Sequence, residues 1–382
     1  MGNGIIMKVL LAFGAALVLS LIATPAVKAF ANKIGAIDVP TEERRVHDHP
    51  IPRLGGLAIF LGFIISVLLF AEINKQVQGI LIGSVIIVIL GVIDDIVPLP
   101  ALAKLIVQIV AALVAVGHGV VIEIISNPNF ASSTDYVNLG IAAIPITVIW
   151  IVAITNSVNL IDGLDGLAVG VTTISSGTMF VIAVVLSQGN VAVLLAALVG
   201  ACIGFLPYNF NPAKIFMGDT GALLLGYVLA TVSISGLFKF YAIISFAVPF
   251  LVIGLPIFDT IFAVFRRLVR GKNPMAPDRG HFHHRLIDMG LSQKQAVAIL
   301  YAISAVLGLI AVIITTTGEI RALMLVLAFC AAVLIAYFVM HGRHSEKGQN
   351  GNHKGLGRRK KRKQEEDIED SSDSVSENND EP

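Results

Sequence analysis

Charged residues are scarce in this chain. Asp, Glu, Lys and Arg fill 14% of its 382 positions, against about 25% in ordinary soluble domains. That shortage, with a mean hydropathy of +0.83, excludes a water-soluble globule with a polar coat. Cysteine is scarcer still. Cys202 and Cys330 are the two present, and both fall inside apolar runs. They resemble small core hydrophobes more than a disulfide or a thiolate metal site. Polar stretches are few and short until the end, where Arg358–Lys363 is followed by an acidic, Ser- and Asn-rich tail. The tail is too hydrophilic to bury a core and reads as disordered.

What the chain has in abundance is apolar runs of membrane-crossing length. A span needs about 20 apolar residues, which gives about eleven of them. They lie roughly at 5–27, 54–71, 79–93, 101–121, 139–158, 167–187, 190–207, 220–237, 241–265, 296–316 and 321–341. The expected fold is all-α and polytopic: residues 1–341 form the transmembrane domain and 342–382 a charged tail. The first run is read as a retained span and not a cleaved signal, because it is long and a basic loop follows it. Placing the loop 28–53 in the cytoplasm puts 23 of the 27 Lys and Arg on that side. The positive-inside bias then sets the amino terminus outside and the carboxyl terminus in the cytoplasm.

Acids inside such a chain are costly and mark function by default. The stretch Asn156–Leu167 (N-S-V-N-L-I-D-G-L-D-G-L) spaces Asn159, Asp162 and Asp165 three apart. Helical geometry would put them on one face. Asp94 and Asp95 close the third span, with Lys104 one short loop later. Asp219 sits in F-M-G-D-T-G before the eighth span, where its bland reading is a helix N-cap and its functional one a hard oxygen ligand for Mg²⁺. The cluster Asp278–Arg285 holds His281, His283 and His284. Its spacing fits no zinc pattern, so imidazoles flanked by Arg279 and Arg285 suit a pyrophosphate better. Asp259 is expected to pair with Arg266 a turn or two on. Pro249 and Pro256 should kink or break the ninth span. The basic residues before P-I-P-R-L-G-G (50–56) serve either the site or topology. All these groups fall on the cytoplasmic side, whereas the long outward loop Gly117–Asn138 carries no comparable cluster.

Six motifs in this order resemble the polyprenyl-phosphate N-acetylhexosamine-1-phosphate transferases, relatives of phospho-N-acetylmuramoyl-pentapeptide transferase. They are H-P-I-P-R-L-G-G (49–56), G-V-I-D-D (91–95), N-S-V-N-L-I-D-G-L-D-G-L (156–167), Y-N-F-N-P-A-K-I-F-M-G-D-T-G (208–221), P-I-F-D-T (256–260) and R-G-H-F-H-H-R (279–285). The H-F-H-H-R and P-R-L-G-G forms look like the N-acetylhexosamine branch.

The resemblance implies transfer of N-acetylglucosamine 1-phosphate from UDP-N-acetylglucosamine to undecaprenyl phosphate with release of UMP. This would be a first membrane step toward a surface glycan such as teichoic acid, in a bacterial cell membrane with the site facing the cytoplasm. It implies Mg²⁺, with Mn²⁺ able to substitute. By matching positions, Asp219 is the metal ligand, and Asp94, Asp95, Asp162 and Lys104 are catalytic. Asp165, Asn209 and Phe216 meet the nucleotide, and Asn159 completes the wall. His281, His283, His284 and Arg285 take the pyrophosphate and sugar. A homodimer is a candidate assembly, and nucleic acid is not an expected partner. The rival readings are a phospho-N-acetylmuramoyl-pentapeptide transferase, a secondary transporter and a membrane scaffold. Against the transporter, the acids sit at span ends and no matching halves suggest repeats. A scaffold leaves carboxylates at the bilayer edge unexplained.

Overall fold

Hydrophobic length and helix-breaking residues together set the element order. The computed structural model describes residues 2–39, 50–126, 136–236, 247–269, 271 and 281–317. The first helix, α1 (Asn3–Ile34), ends on Gly35 in the left-handed conformation, as helices ending in Gly commonly do. A short ribbon follows, β1 (Ile37–Asp38) paired antiparallel with β2 (Ile51–Pro52). Then come α2 (Gly56–Phe70), α3 (Lys75–Ile96) and α4 (Ala101–Gly117). A second small hairpin, β3 (Ile124–Ser126) with β4 (Tyr136–Asn138), precedes α5 (Ala143–Ile161). After it run α6 (Leu167–Val185), α7 (Gly189–Asn209) and α8 (Gly218–Gly236). The described part closes with α9 (Ala247–Val252), α10 (Gly254–Val269), α11 (Phe282–Asp288) and α12 (Gln293–Thr317).

Seven of these helices are long and apolar enough to cross a membrane, and α2 and α4 are shorter apolar helices. The expectation of about eleven spans meets helix, among the described residues, at each of its first ten runs. Its ninth run is divided among the described residues, with α9 ending at Val252 and α10 starting at Gly254. Pro256 falls in the first turn of α10, where a missing N–H is tolerated. The eleventh run, the charged tail and Cys330 lie outside the described residues. The purely helical expectation also gives way to two short hairpins, each too brief to produce a period-two signal.

The bundle is organised on α8. Eighty-nine per cent of its apolar window is buried, and it packs on α3 and α5 with α2 alongside. Gly91 of α3 lies against the backbone of Thr220, and Gly56 of α2 against Gly221. A Cβ at either glycine would strike main chain, so close approach requires these residues. Tyr227, fully buried, sits against Gly83. Elsewhere α1 packs against α7 and α2 through Gly62, Gly200 and Gly204. Some buried hydroxyls bond to their own helices, as with Thr155 Oγ1 donating to the Ile151 carbonyl at 2.7 Å. The outer faces carry exposed Ile22, Leu69, Ile149 and many like them. A contiguous apolar surface of that kind belongs in lipid. Cys202 is buried and forms no disulfide.

Candidate active site

The site is built where helix ends meet. At the last turn of α3, Asp95 is buried and its carboxylate closes the start of α8. Asp95 Oδ1 accepts from the Asp219 amide at 2.9 Å, and Oδ2 accepts from the Thr220 amide at 3.0 Å and the Thr220 hydroxyl at 2.6 Å. A helix start leaves amides unpaired, and here a carboxylate 124 residues away in sequence fills that place. Asp219 is thus not its own cap, and its side chain is turned to other work. Lys104 Nζ donates to Asp219 Oδ2 at 3.0 Å and to Asp94 Oδ2 at 2.7 Å, while Asn159 Nδ2 donates to Asp219 Oδ1 at 3.1 Å. Asp94 Oδ1 also accepts from the Leu99 amide at 2.7 Å.

The stretch 156–167 is helical as far as Ile161 and again from Leu167. Helix α5 stops at Ile161, and residues 162–166 turn into α6 with Gly166 left-handed. The turn is held from three sides. The Gly166 amide donates to Asn209 Oδ1 at 3.1 Å, and Asn209 Nδ2 donates to the Ile215 carbonyl at 3.1 Å. The Tyr301 hydroxyl donates to the Gly166 carbonyl at 2.6 Å. His283 packs against Gly163, where a Cβ would clash with the imidazole. Asp165 Oδ2 accepts from Asn211 Nδ2 and the Ala213 amide, both at 3.0 Å, and Asn211 Nδ2 also donates to Gln293 Oε1 at 2.6 Å.

Of the residues singled out by sequence, Asp95, Asn159, Asp162, Asp165, Asn209, Phe216, Asp219 and His284 line one cavity of about 400 Å³. Asp94 and Lys104 adjoin it through Asp219. His281, His283 and Arg285 stand behind the wall. His281 Nδ1 meets Asp259 Oδ2 at 2.9 Å, and the Phe282 amide donates to Asp259 Oδ1 at 2.9 Å. The expected Asp259–Arg266 pair is therefore replaced by Asp259–His281, with Arg266 lying over the Phe262 ring at 5.7 Å. Arg285 covers the same ring at 5.1 Å. His283 stacks between His281 and His284. Its burial and the two neighbouring imidazoles hold its pKa down to about 3, so it stays neutral. Arg44, Arg45, His47, His49 and Arg279 lie outside the described residues. Four polar lining residues escaped the sequence reading as site members: Asp38, Arg53, Asn211 and Gln293. Arg53 and Asn211 stood in motifs already noted, whereas Asp38 and Gln293 had no local signal.

The acids crowd one another. Burial, then Asp219, Asp95 and Asp165, push Asp162 up to about 8. Among the described residues no three His, Cys, Asp or Glu side chains form a ready-made metal cage. Mg²⁺ does not need one, since it usually takes one or two carboxylates and completes its shell with substrate phosphate and water. A cavity that brings Asp219 and Asp162 to one wall fits that ion.

The sequence model of the family described as Glycosyl transferase family 4 matches residues 77–237, from α3 through α8. A probable undecaprenyl-phosphate N-acetylglucosaminyl 1-phosphate transferase of Bacillus subtilis is 43% identical over 310 residues, covering 80% of this chain and 85% of that protein. The chain belongs to glycosyl transferase family 4. Other relatives agree with the placement. A decaprenyl-phosphate N-acetylglucosaminephosphotransferase of Mycobacterium tuberculosis is 36% identical over 332 residues, 78% of this chain and 81% of that protein. A phospho-N-acetylmuramoyl-pentapeptide-transferase of Clostridium beijerinckii is 33% identical over 280 residues, 68% of this chain and 81% of that protein. The family 4 segment supplies both walls of the acidic cluster, and the ribbon β1–β2 and helices α11 and α12 complete the surroundings.

Proposed function

We propose that this family 4 protein transfers N-acetylglucosamine 1-phosphate from UDP-N-acetylglucosamine to undecaprenyl phosphate, releasing UMP. The observation that carries it is the meeting of Asp95 from α3, Asp162 beyond α5 and Asp219 from α8 around one cavity at helix ends. A cavity there is open to a soluble donor while the bordering helices face lipid. The names of the B. subtilis and mycobacterial relatives share the sugar and the polyprenyl phosphate, and P-R-L-G-G with H-F-H-H-R sets the chain apart from the muramoyl-pentapeptide branch. A transporter would hold its acids at the bilayer midplane, whereas these stand at helix termini.

In this reading Asp219, with Asp162 beside it, would hold Mg²⁺, which when bound would offset the charge of the pyrophosphate and the leaving phosphate. The remaining work falls to the chain. Phe216 offers a ring to the uracil, and Asp165 fixes the nucleotide end of the cavity. Lys104, between Asp94 and Asp219, lowers the electrostatic cost of bringing a second phosphate to the acids. An oxygen of the lipid phosphate bonds to the phosphorus bearing the sugar, the bond from that phosphorus to the bridging oxygen breaks, and UMP departs with that oxygen. His284 lines the donor side, and His283 keeps it in place. The site opens to the cytoplasm on the positive-inside count, with 23 of 27 basic residues on that side.

The test is UMP release by purified protein in detergent. It should require UDP-N-acetylglucosamine, polyprenyl phosphate and Mg²⁺ together. Release without the lipid, or none with any UDP-sugar, would count against the assignment.

A further inference from the structure

We propose that Arg53, aimed by Asp38, grips the nucleotide phosphate of the donor. This rests on the donor reading above and assigns a residue that the acidic motifs do not include. Five carboxylates line the cavity: Asp38, Asp95, Asp162, Asp165 and Asp219. Arg53 is the one Lys or Arg among the described residues that line it. An anionic nucleotide entering there therefore meets Arg53 as the one Lys or Arg that the described residues place in the wall.

Its mounting is rigid. The Arg53 amide donates to the Ala36 carbonyl at 2.9 Å, just beyond the β1–β2 ribbon. Arg53 Nη2 donates to Asp38 Oδ1 at 2.7 Å across that ribbon. The next residue, Leu54, is fully buried yet adopts a left-handed φ of 83°. A leucine takes that conformation when its surroundings dictate it, and such positions cluster at ligand sites. The ribbon is also stitched to the Phe216 segment. The Phe216 amide donates to the Pro52 carbonyl at 2.8 Å, and the Gly55 amide to the Phe216 carbonyl at 2.9 Å. Arg53 and the ring offered to the base therefore share one backbone frame. The Asp38 bond occupies one of five guanidinium N–H donors. The others have no protein partner among the described residues, and the side chain is 29% exposed. A guanidinium fixed in plane at one corner presents the paired donors that phosphate accepts bidentately. The lipid phosphate is assigned to the other side, where Lys104 joins Asp94 and Asp219.

The experiment measures UMP and uridine binding to the full chain in detergent with a chelator present, comparing wild type with Arg53→Met, Arg53→Lys and Asp38→Asn. Arg53→Met should weaken UMP at least about tenfold, the scale of a charge-assisted hydrogen bond, and leave uridine unchanged. Arg53→Lys should fall between, since it keeps the charge and loses the fork. Asp38→Asn separates aim from charge: it removes a negative charge, yet should weaken UMP because the guanidinium is no longer held. In turnover, Arg53→Met should raise KM for the UDP-sugar and leave KM for polyprenyl phosphate alone. UMP affinity unchanged in Arg53→Met overturns the proposal, as does a parallel loss of uridine binding. Tighter UMP binding by Asp38→Asn overturns the role of Asp38. Failure of the donor reading shows separately, as wild type that binds UMP but transfers no sugar phosphate.

Discussion

Asp95 and Asp219 stand at the same helix start with opposite assignments. The Asp95 carboxylate accepts from two amides and a hydroxyl of α8, so it positions Asp219 while lining the cavity. Asp219 faces Lys104 and Asn159 at the cavity. Asp219→Asn, nearly isosteric and one charge poorer, should abolish UMP release while the melting temperature stays close to wild type. Asp95→Ala strips buried amides of their acceptor and should cost about 1–3 kcal/mol of stability, with activity lost alongside folding. Thermal melts and turnover on the same preparations separate the two, and a stable, active Asp95→Ala would refute the capping role.

His283 gives a pH signature. Its folded-state pKa of about 3 lies below the ordinary 6.5, so between those values the unfolded chain takes up a proton that the folded chain refuses. Stability is complete above about pH 6.5 and falls as pH drops toward 3, by at most about 1.4 kcal/mol per pH unit. Melting curves in detergent from pH 7 to 5 should fall less steeply for His283→Gln than for wild type. Parallel curves would remove His283 as the source.

At the scale of elements, two glycines decide whether the acids can meet. Gly91 sits against the main chain of Thr220, one turn before Asp94 and Asp95. Gly91→Leu should push α3 off α8 and cut turnover at least a hundredfold, with a large drop in melting temperature. Full activity in Gly91→Leu would show that the close crossing is dispensable.

The elements also show what was legible. Acids at the edges of apolar runs were readable because burial leaves them few uses besides function, and the structure gathers Asp95, Asp162 and Asp219 from segments far apart in sequence. The shape of the stretch 156–167 was left open by its spacing, since three is equally met by a helix and by a turn broken at Gly163 and Gly166. Pairings between distant segments left no trace in local pattern. Asp259 found His281 across 22 positions instead of the nearer Arg266, and Asp38 met Arg53 through a ribbon of two residues per strand.

At the scale of the whole molecule, orientation is the claim to test. Lys75 and Lys214 are both exposed and are assigned to opposite sides. With the native cysteines replaced, Lys214→Cys should react with an impermeant thiol reagent in inverted vesicles and Lys75→Cys in right-side-out cells. The reverse pattern would place the cavity outside.

The encasement of α8 reaches beyond catalysis, into how the chain enters a bilayer. Its mean hydropathy of 1.3 is the lowest of the seven long helices, which otherwise run from 1.9 to 2.8. A segment with that little greasiness partitions poorly by itself, and its serines, threonines and glycines are comfortable against protein and not against acyl chains. Helix α8 therefore depends on α3 and α5 being already threaded to receive it, and biogenesis of this transferase proceeds by assembling a sheath before its centre.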